Sequence, residues 1–453
     1  MKDNMKRTGM GETTRREFIV GSAALVGGTL AADLSVARSA HVAGSETVRV
    51  GLVGCGGRGT GAARDALSSG PSVQVVAMGD VFEERLQGSL KALRDDENVK
   101  EQPDRLDVAK DRQFVGFDAY QKVISSGVDV VILATPPGFR PIHLKAAVQA
   151  GKHVFMEKPV AVDAPGVRSV LDSAAEAKKK GLGIGVGLQR RHQAEYIETV
   201  KRLQDGAVGD IVTMRVYWNG GPVGPKARRD ELTKKWGRSP TEMEYQLANW
   251  YMFNWLCGDH IVEQHIHNLD VANWVLGKYP IRALGMGGRS YQKGPDSGEI
   301  FDHHMVEYEY EGGIRVFSQC RQIPRCWSSV TEHAHGTKGA ADISGHIIRP
   351  TGGETWTYRG PRSKPYVVEH QDLYASIHSG EPLNEGESGA LSTLTAIMGR
   401  MATYSGNEVT WERALNSKIS LAPRSYALDA SPPVMPGQDG NYAVALPGQT
   451  EAV

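Results

Sequence analysis

Residues 258–277 hold many side chains that can accept, donate or orient a proton. The segment begins Gly-Asp-His-Ile-Val-Glu-Gln-His-Ile-His-Asn-Leu-Asp and ends in an apolar run closed by Gly277. As one helix, spacings of three and four place His260, Glu263, His267 and Asp270 along one face, and His265 points elsewhere. His267 is a candidate acid or base because imidazole titrates near neutral pH, and Asp270 is a candidate partner that orients its ring.

A metal site in this segment is a less favoured alternative. The order His-x-x-Glu-Gln-His has one residue too many for the H-x-x-E-H zinc motif and lacks the H-E-x-x-H order. A purely structural His267, satisfied by a neighbouring carboxylate, is a second alternative. We therefore predict no metal here and keep the structural role of His267 open.

A second group of residues has the spacing of a phosphate-binding turn. A valine-rich run at 48–53 ends in Gly54-x-Gly56-x-x-Gly59, and a helical pattern of small residues follows. The first glycine of such a motif makes the turn, the second lets the backbone approach a pyrophosphate, and the third lets helix pack on strand. The predicted cofactor contacts at this turn are Gly54, Gly56, Gly57, Arg58 and Gly59.

The next apolar run, 73–79, ends at Asp80, about 20 residues after the last glycine. A carboxylate at that distance binds the ribose diol of an adenine dinucleotide. Asp80 therefore favours NAD over NADP, because a 2′-phosphate would meet a negative charge. Arg58 in the glycine turn weakens that preference.

Alternating strands and helices must position these residues. The apolar runs 128–134, 153–157 and 182–187 predict buried strands, and 141–150 and 165–180 predict helices. This alternation predicts a doubly wound parallel sheet, the Rossmann fold, whose ligands bind at the carboxyl ends of the strands. Further predicted cofactor contacts at or near those ends are Thr135, Pro136, His143, Glu157 and Lys158.

The second half of the chain has a different pattern. Residues 211–218, 303–310 and 314–320 alternate polar and apolar side chains, and Glu311-Gly312-Gly313 is a hairpin turn. An α+β domain with a mainly antiparallel, open sheet is expected. Polar clusters there are candidate contacts for a polyol, because its hydroxyls need donors and acceptors in pairs; they are Arg191, His192, His260 and His303. Solvated strand ends are the alternative, and 242–251 is expected to form a loop over the pocket.

Several of these motifs together resemble one protein family. The glycine turn, the run Ala-Gly-Lys-His-Val at 150–154, the triplet Glu157-Lys158-Pro159 and the segment 257–277 resemble the Gfo/Idh/MocA family of glucose–fructose oxidoreductase and inositol dehydrogenase. The resemblance covers about residues 48–423. It implies that Lys158 lies near substrate and nicotinamide, where it accepts the proton of an alcohol.

The resemblance also implies a role for the histidine-rich segment. The family's Asp–His–Asp pattern falls on Glu263, His267 and Asp270, with glutamate in place of the first aspartate. The open sheet of the family packs against a second subunit or supports the substrate, so a homo-oligomer is expected.

The N-terminal residues resemble an export signal. Thr14-Arg15-Arg16-Glu17-Phe18 precedes a weakly apolar stretch at 20–32, as in Tat leaders; a disordered basic N-terminus is the alternative. We therefore expect a leader at 1–44, an NAD-binding domain at 45–187, a substrate and oligomerisation domain at 188–423 and an extended tail at 424–453. Export to the periplasm, where no dinucleotide pool exists, predicts a cofactor that is loaded beforehand and kept.

The composition excludes some classes of function. The chain has 453 residues, 40% of them hydrophobic and 23% charged, with a formal net charge of zero. Such a balance is typical of a soluble protein and gives no sign of a nucleic-acid surface. The run 20–32 is too short for a membrane span. Four cysteines lack zinc spacing; Cys320 and Cys326 could pair, although two free thiols are favoured.

Three functions fit these observations. The leading one is an NAD-dependent oxidoreductase that moves hydride between a hydroxyl-bearing carbon of a sugar, sugar derivative or polyol and a tightly bound nicotinamide cofactor. The second is an NAD-dependent glycoside hydrolase that uses transient oxidation, elimination and re-reduction. The third is a non-catalytic sugar-binding protein.

Overall fold

A computed structural model describes residues 47–225 and 227–453. Within these residues the chain forms a six-stranded parallel sheet and a nine-stranded, mainly antiparallel sheet. This architecture confirms the predicted fold class. The predicted leader, with its twin arginine, lies outside the described residues.

The parallel sheet belongs to the first half of the chain. Its elements are β1 (Val48–Val53), α1 (Gly57–Ser69), β2 (Val73–Asp80), α2 (Glu83–Arg94), α3 (Glu97–Glu101), β3 (Gln113–Val115), α4 (Ala119–Ile124), β4 (Val130–Leu133), α5 (Arg140–Gln149), β5 (His153–Met156), α6 (Ala164–Lys180) and β6 (Ile184–Val186). The strand order is β3-β2-β1-β4-β5-β6, so the chain reverses direction across the sheet between β1 and β4. A ligand crevice is expected at that switch point, beyond the carboxyl ends of the strands.

The predicted elements of this half are confirmed because their sequence signals are local. The strands β4, β5 and β6 are buried at every position, as expected when helices cover both faces of a parallel sheet. The helix α6 is bounded by its own residues: Asp163 accepts a hydrogen bond from the Gly166 nitrogen, and Gly181 ends the helix with φ 66°.

The remaining elements form the second half. They are α7 (Ala194–Gln204), β7 (Ile211–Gly220), α8 (Arg229–Trp236), α9 (Glu242–Ala248), α10 (Asn254–Cys257), α11 (His260–Glu263), α12 (Ile266–Leu276), β8 (Pro280–Gly288), β9 (His303–Tyr310), β10 (Arg315–Gln322), β11 (Ser329–Gly336), β12 (Gly339–Asp342), β13 (Ile347–Pro350), β14 (Trp356–Thr357), α13 (Pro365–His378), α14 (Gly386–Ser405), β15 (Val409–Thr410) and α15 (Trp411–Asn416). Short 3-10 turns lie at Pro103–Arg105, Lys110–Arg112, Pro137–Phe139, Gln189–His192, Trp250–Met252 and Pro295–Ser297.

The mixed sheet has one covered and one open face. Its order is β14-β13-β12-β11-β7-β10-β9-β8-β15, and β7 pairs with β10 in parallel. Strands β9 and β10 alternate buried and half-buried residues, as the sequence pattern predicted, and α12 and α14 pack on the buried side. On the open side Leu284 and Met286 are 44% and 73% exposed.

Two segments of the second half depart from the simplest expectation. Residues 242–251 are not a loop: α9 begins at Glu242, its cap residue Thr241 forms a capping box with Glu244, and a 3-10 turn follows. The helix α13 packs on α1, where Leu373 and Tyr374 join the core of the parallel sheet. Residues 424–453 form no helix or strand, and Tyr442 packs against Phe253 with ring centroids 4.9 Å apart.

All four cysteines lie in the described part of the chain and are free, as favoured from the sequence. Cys326 is exposed and the other three are buried. Among the helices that the structure describes, none has the length and apolar character needed to cross a membrane.

Candidate active site

The glycine turn between β1 and α1 has the shape that its spacing predicted. Gly54 has φ 95°, and a Cβ there would lie 2.5 Å from the backbone nitrogen of Thr135. A Cβ on Gly59 would lie 1.8 Å from the carbonyl oxygen of Gly54, so only glycine lets α1 approach the strand. A Cβ on Gly56 or Gly57 would meet no atom within 4 Å. The turn therefore leaves open space at the start of α1, where a diphosphate fits.

Asp80 is fixed at the end of the neighbouring strand β2. Its carboxylate accepts hydrogen bonds from the backbone nitrogens of Cys55 at 2.7 Å and Phe82 at 2.9 Å. Burial raises its pKa, and the two backbone donors oppose that rise. The carboxylate thus lies beside the glycine turn, as a ribose-binding residue would.

A cavity of about 340 Å³ runs along the carboxyl ends of the parallel strands. It brings together twelve of the residues predicted from the sequence: Gly54, Gly56, Gly57, Arg58, Asp80, Thr135, Pro136, His143, Glu157, Lys158, Glu263 and His267. Gly59 does not line it, because its role is to pack against Gly54. Strand ends of the parallel sheet and helical residues of the second half of the chain meet at this cavity. They define a single candidate site.

Lys158 and Glu263 form a charge pair in the wall of the cavity. The Lys158 Nζ donates to the carboxylate of Glu263 at 3.0 Å and to its backbone oxygen at 2.6 Å. The two side chains are only 13% and 14% exposed. The Lys158–Pro159 peptide bond is cis. This pair is a proton donor and acceptor held at one place on the cavity wall.

His267 lies in the same cavity and stacks on Trp218, with ring centroids 5.8 Å apart and planes at 21°. Burial lowers the pKa of His267 well below its usual value, and the charges of Lys158 and Arg190 lower it further. Its imidazole is therefore neutral at pH 7. Within the described residues its Nδ1 atom has no hydrogen-bond partner.

The predicted orientation of His267 by Asp270 is wrong. The Asp270 carboxylate accepts hydrogen bonds from Arg191, at 2.7 Å to Nη2 and 2.9 Å to Nε, and from Ser392 at 2.7 Å. Both oxygens of Asp270 are bound by the Arg191 guanidinium, because its parallel N–H groups match the geometry of a carboxylate better than an imidazole does. Arg191 is tied to Asp270 and does not reach the cavity.

The predicted single helix over 258–277 is also corrected. The segment breaks into α11 and α12, with Gln264 and His265 between them. His265 turns toward β10 and its Nε2 bonds the Ser318 hydroxyl at 2.8 Å. The break lets Glu263 and His267 face the cavity while His260 is directed away from it.

Three other predicted substrate contacts are not brought to the cavity. His192 is buried between Asp372 and Glu385, at 2.6 and 3.1 Å. His260 is completely buried beside Asp259. His303 lies on the open side of the mixed sheet, 42% exposed and paired with Asp302. His192 and His303 are each paired with carboxylates, so the structural alternative applies to them, and His260 lies in the protein interior away from the cavity.

The sequence prediction missed several residues that line the cavity, among them Arg85, Tyr120, Arg140, Gln189, Trp250 and Tyr366. Arg140 begins α5, and its guanidinium donates to the Pro159 carbonyl; burial lowers its pKa to about 10. Tyr366 belongs to α13, far along the chain, and the Arg58 guanidinium lies 4.8 Å from its ring centroid. No local signal could have found Tyr366, whereas Arg140 stands just before the predicted helix at 141–150.

His143 and Arg58 complete the wall around the glycine turn. His143 stacks on Tyr120 at 4.2 Å, and burial together with the charge of Arg140 lowers its pKa to about 3. Arg58 bridges Glu157 at 2.8 Å and Asp65 at 2.7 Å. The turn thus carries a cation directly at the space that a diphosphate would fill.

Comparison with known proteins shows what this chain is similar to. Residues 48–187 match the family model described as "Oxidoreductase family, NAD-binding Rossmann fold" of GFO_IDH_MocA. The structure resembles that of aldose-aldose oxidoreductase from Caulobacter crescentus complexed with glycerol. The TM-score is 0.62 and the identity 20%, over 80% of this chain and 99% of that one. Residues 48–187 therefore match an NAD-binding Rossmann fold, and the chain as a whole shares the fold of that solved structure.

Two sequence relatives add to this. Inositol 2-dehydrogenase of Rhizobium meliloti is 23% identical over 361 residues, covering 77% of this chain and 94% of the relative. The 2,7-anhydro-N-acetylneuraminate hydratase of Escherichia coli is 25% identical over 247 residues, covering 52% of this chain and 57% of the relative. These findings support the Gfo/Idh/MocA family predicted from the motifs, and the cofactor is a nicotinamide dinucleotide, with NAD favoured.

Proposed function

We propose that the protein is an NAD-dependent oxidoreductase that acts on a secondary alcohol of a sugar, sugar derivative or polyol. The observation that carries this proposal is the position of Lys158, Glu263 and His267 in the same cavity as the glycine turn and Asp80. A dinucleotide bound at the turn would extend along the strand ends to that cluster. The inositol dehydrogenase relative supports a hydroxylated substrate.

The chain offers a separate group for each part of the cofactor. The open space at Gly56 and Gly57 would take the diphosphate, and Asp80 would bind the hydroxyls of the adenosine ribose. Glu157 and Lys158 would lie at the nicotinamide end. A bound nicotinamide would supply hydride transfer at the carbon that bears the reacting hydroxyl.

The side chains at that end manage the proton of the hydroxyl. His267 is neutral, so its imidazole can accept a hydrogen bond from the reacting hydroxyl, and Lys158, with His267, would take the hydroxyl proton. Glu263 holds Lys158 in place through two hydrogen bonds. Arg140 adds a buried positive charge nearby, anchored to the Pro159 carbonyl.

A second candidate is a redox-neutral reaction in which the cofactor is regenerated within each turnover, as in an NAD-dependent glycoside hydrolase. The hydratase relative favours it, because a hydratase adds or removes water without net oxidation. Glu263 supports it as well: a carboxylate beside Lys158 could remove a proton from the carbon next to the reacting one.

We also propose that the protein is exported by the Tat route to the periplasm and keeps its cofactor. The twin-arginine segment supports export. Tyr366 supports retention of the cofactor, because it comes from α13 and covers Arg58 at the glycine turn.

A homo-oligomer is supported by the open side of the mixed sheet, where Leu284 and Met286 are exposed.

One experiment separates the candidate functions. Nucleotide is released from the purified protein by denaturation and identified, and absorbance of the reduced nicotinamide is then followed as free sugars, polyols and glycosides are added. Net reduction by a sugar or polyol supports the dehydrogenase. Glycoside cleavage with catalytic NAD and no net reduction supports the hydrolase. Sugar binding with neither reaction supports the third function, a binding protein.

Two variants test whether Lys158 is required for turnover. Lys158→Ala should abolish turnover while nucleotide binding persists. Lys145→Ala is the matched control, since Lys145 is exposed on α5 outside the cavity. Near-normal turnover in Lys158→Ala would refute the role assigned to this lysine.

A further inference from the structure

A cluster of Asp259, His260 and His304 lies behind the cavity, at the start of α11. Asp259 and His260 come from the histidine-rich segment, and His304 comes from β9 of the mixed sheet. All three side chains are fully buried. The Asp259 Oδ1 atom lies 2.9 Å from the His260 Nδ1 and 3.2 Å from the His304 Nε2, and the three atoms lie within 4.8 Å of one another.

These separations are ion-pair distances, but the ring nitrogens are poorly aligned for hydrogen bonding to the carboxylate. Neither ring nitrogen meets the geometry of a hydrogen bond to the carboxylate, and within the described residues neither has another partner. Buried polar atoms without a partner are rare because their desolvation is uncompensated. The Asp259 Oδ1 atom accepts a hydrogen bond from the His260 backbone nitrogen, and in the described part of the chain the two imidazole nitrogens beside it have no such partner. A bound cation would satisfy these two nitrogens and the carboxylate together.

The surrounding residues hold these donors in place. The other carboxylate oxygen of Asp259 accepts hydrogen bonds from the Tyr404 hydroxyl at 2.6 Å and the Phe301 nitrogen at 3.0 Å. The second ring nitrogen of His304 bonds the Thr403 hydroxyl at 2.9 Å. Metal-binding histidines and carboxylates are characteristically oriented by such outer partners.

The backbone at Asp259 supports the same interpretation. Asp259 has φ 75°, a conformation that is strained for a residue with a side chain. Such strain persists only where surrounding structure imposes it, and it clusters at functional sites. Here it directs the carboxylate back toward the two imidazoles.

We propose that Asp259, His260 and His304 bind a divalent transition-metal ion, with zinc as the best fit. Nitrogen and oxygen donors are zinc ligands, and bonds of about 2.0–2.1 Å in a tetrahedral site separate ligand atoms by roughly 3.3 Å. The separations of 2.9 and 3.2 Å approach that value. The three ligands are fully buried, so the ion would be shielded from solvent.

The proposed ion would help to position a residue of the candidate active site. The helix α11 starts at His260 and ends at Glu263, which holds Lys158. An ion that joins α11 to β9 would fix the position of Glu263. This role is structural and independent of which reaction the cavity supports.

The test is the metal content of the full-length protein, purified from cells grown with added Zn²⁺ and measured by elemental analysis. We expect about one zinc per chain, retained in the presence of a chelator and released on unfolding. Growth with Co²⁺ in place of Zn²⁺ should give the visible absorption bands of tetrahedral cobalt.

Conservative variants locate the ion. His304→Gln and His260→Asn should lose it while far-ultraviolet circular dichroism reports a folded chain. His333→Gln, which alters a half-buried histidine beside Asp342, should keep it. A folded wild-type protein without metal from both growth conditions would overturn the proposal, and so would metal that persists in both folded cluster variants. If neither variant folds, the cobalt spectrum of the wild type decides, because an octahedral or absent spectrum contradicts the site.

Discussion

The Lys158–Glu263 pair gives the sharpest quantitative prediction. We consider Lys158→Met, Glu263→Gln and the double variant, each of which nearly preserves side-chain volume. The pair is 13% and 14% exposed and its charged atoms are 3.0 Å apart. Water therefore screens it far less than it screens a surface pair.

The expected magnitude follows from the distance. Two unit charges 3.0 Å apart attract by about 5.5 kcal/mol at an effective dielectric constant of 20, before desolvation is subtracted. Removing one member of a buried pair costs about 3–5 kcal/mol, because the other charge is left uncompensated, whereas replacing both is often nearly neutral. Each single variant should lose about 3 kcal/mol of unfolding free energy, and the double variant should lose less than either alone.

Urea unfolding of the four proteins, followed by circular dichroism, measures this coupling in a double-mutant cycle. A matched control cycle uses Lys201 and Asp205, a pair 2.6 Å apart in which both residues are largely exposed, and it should show no measurable coupling. Losses that simply add for Lys158 and Glu263 would refute the reasoning, because they would mean that the two charges do not stabilise each other.

Three further predictions concern the glycine turn, His192 and His267. Gly59→Ala should lower the melting temperature and abolish nucleotide binding, because its Cβ would meet a carbonyl oxygen at 1.8 Å. Gly56→Ala should keep the melting temperature of the nucleotide-free protein and weaken NAD binding more than tenfold. Equal melting temperatures of the two variants would contradict the prediction. Burial lowers the pKa of His192, but hydrogen bonds to its two carboxylate partners raise it to about 9. The stabilisation, at most about 3 kcal/mol, should therefore be complete below pH 6.5 and lost as the pH rises through 9. Thermal melts of wild type and His192→Gln between pH 6 and 10 measure it, and a constant difference would refute it. His267→Gln should lower kcat by roughly 10²-fold or more with unchanged NAD affinity by calorimetry, and near-wild-type kcat would exclude it as a proton-transfer group.

The glycine turn, Asp80 and Lys158 could be predicted from the sequence because their positions follow from local rules. Each stands at the end of an apolar run, and parallel strands that alternate with helices must bring their carboxyl ends to one edge. The structure brings these residues to one cavity.

The histidine-rich segment could be predicted only in part. Glu263 and His267 face the cavity, as one helical face required, but the break at Gln264 and His265 removed His260 from it. The hydroxyl of Ser318, on a distant strand, is the partner toward which His265 turns. A periodicity within the segment contains no information about such a partner.

The sequence by itself determined which residues form the cofactor-binding edge, because local backbone requirements and strand–helix alternation depend on neighbours along the chain. Only the tertiary structure decided how the buried charges are paired. Asp270 binds Arg191 and not His267, and Asp259 lies beside His304 of strand β9. A buried carboxylate is stabilised by whichever donor the fold places within about 3 Å, and that choice is made by residues far apart in sequence.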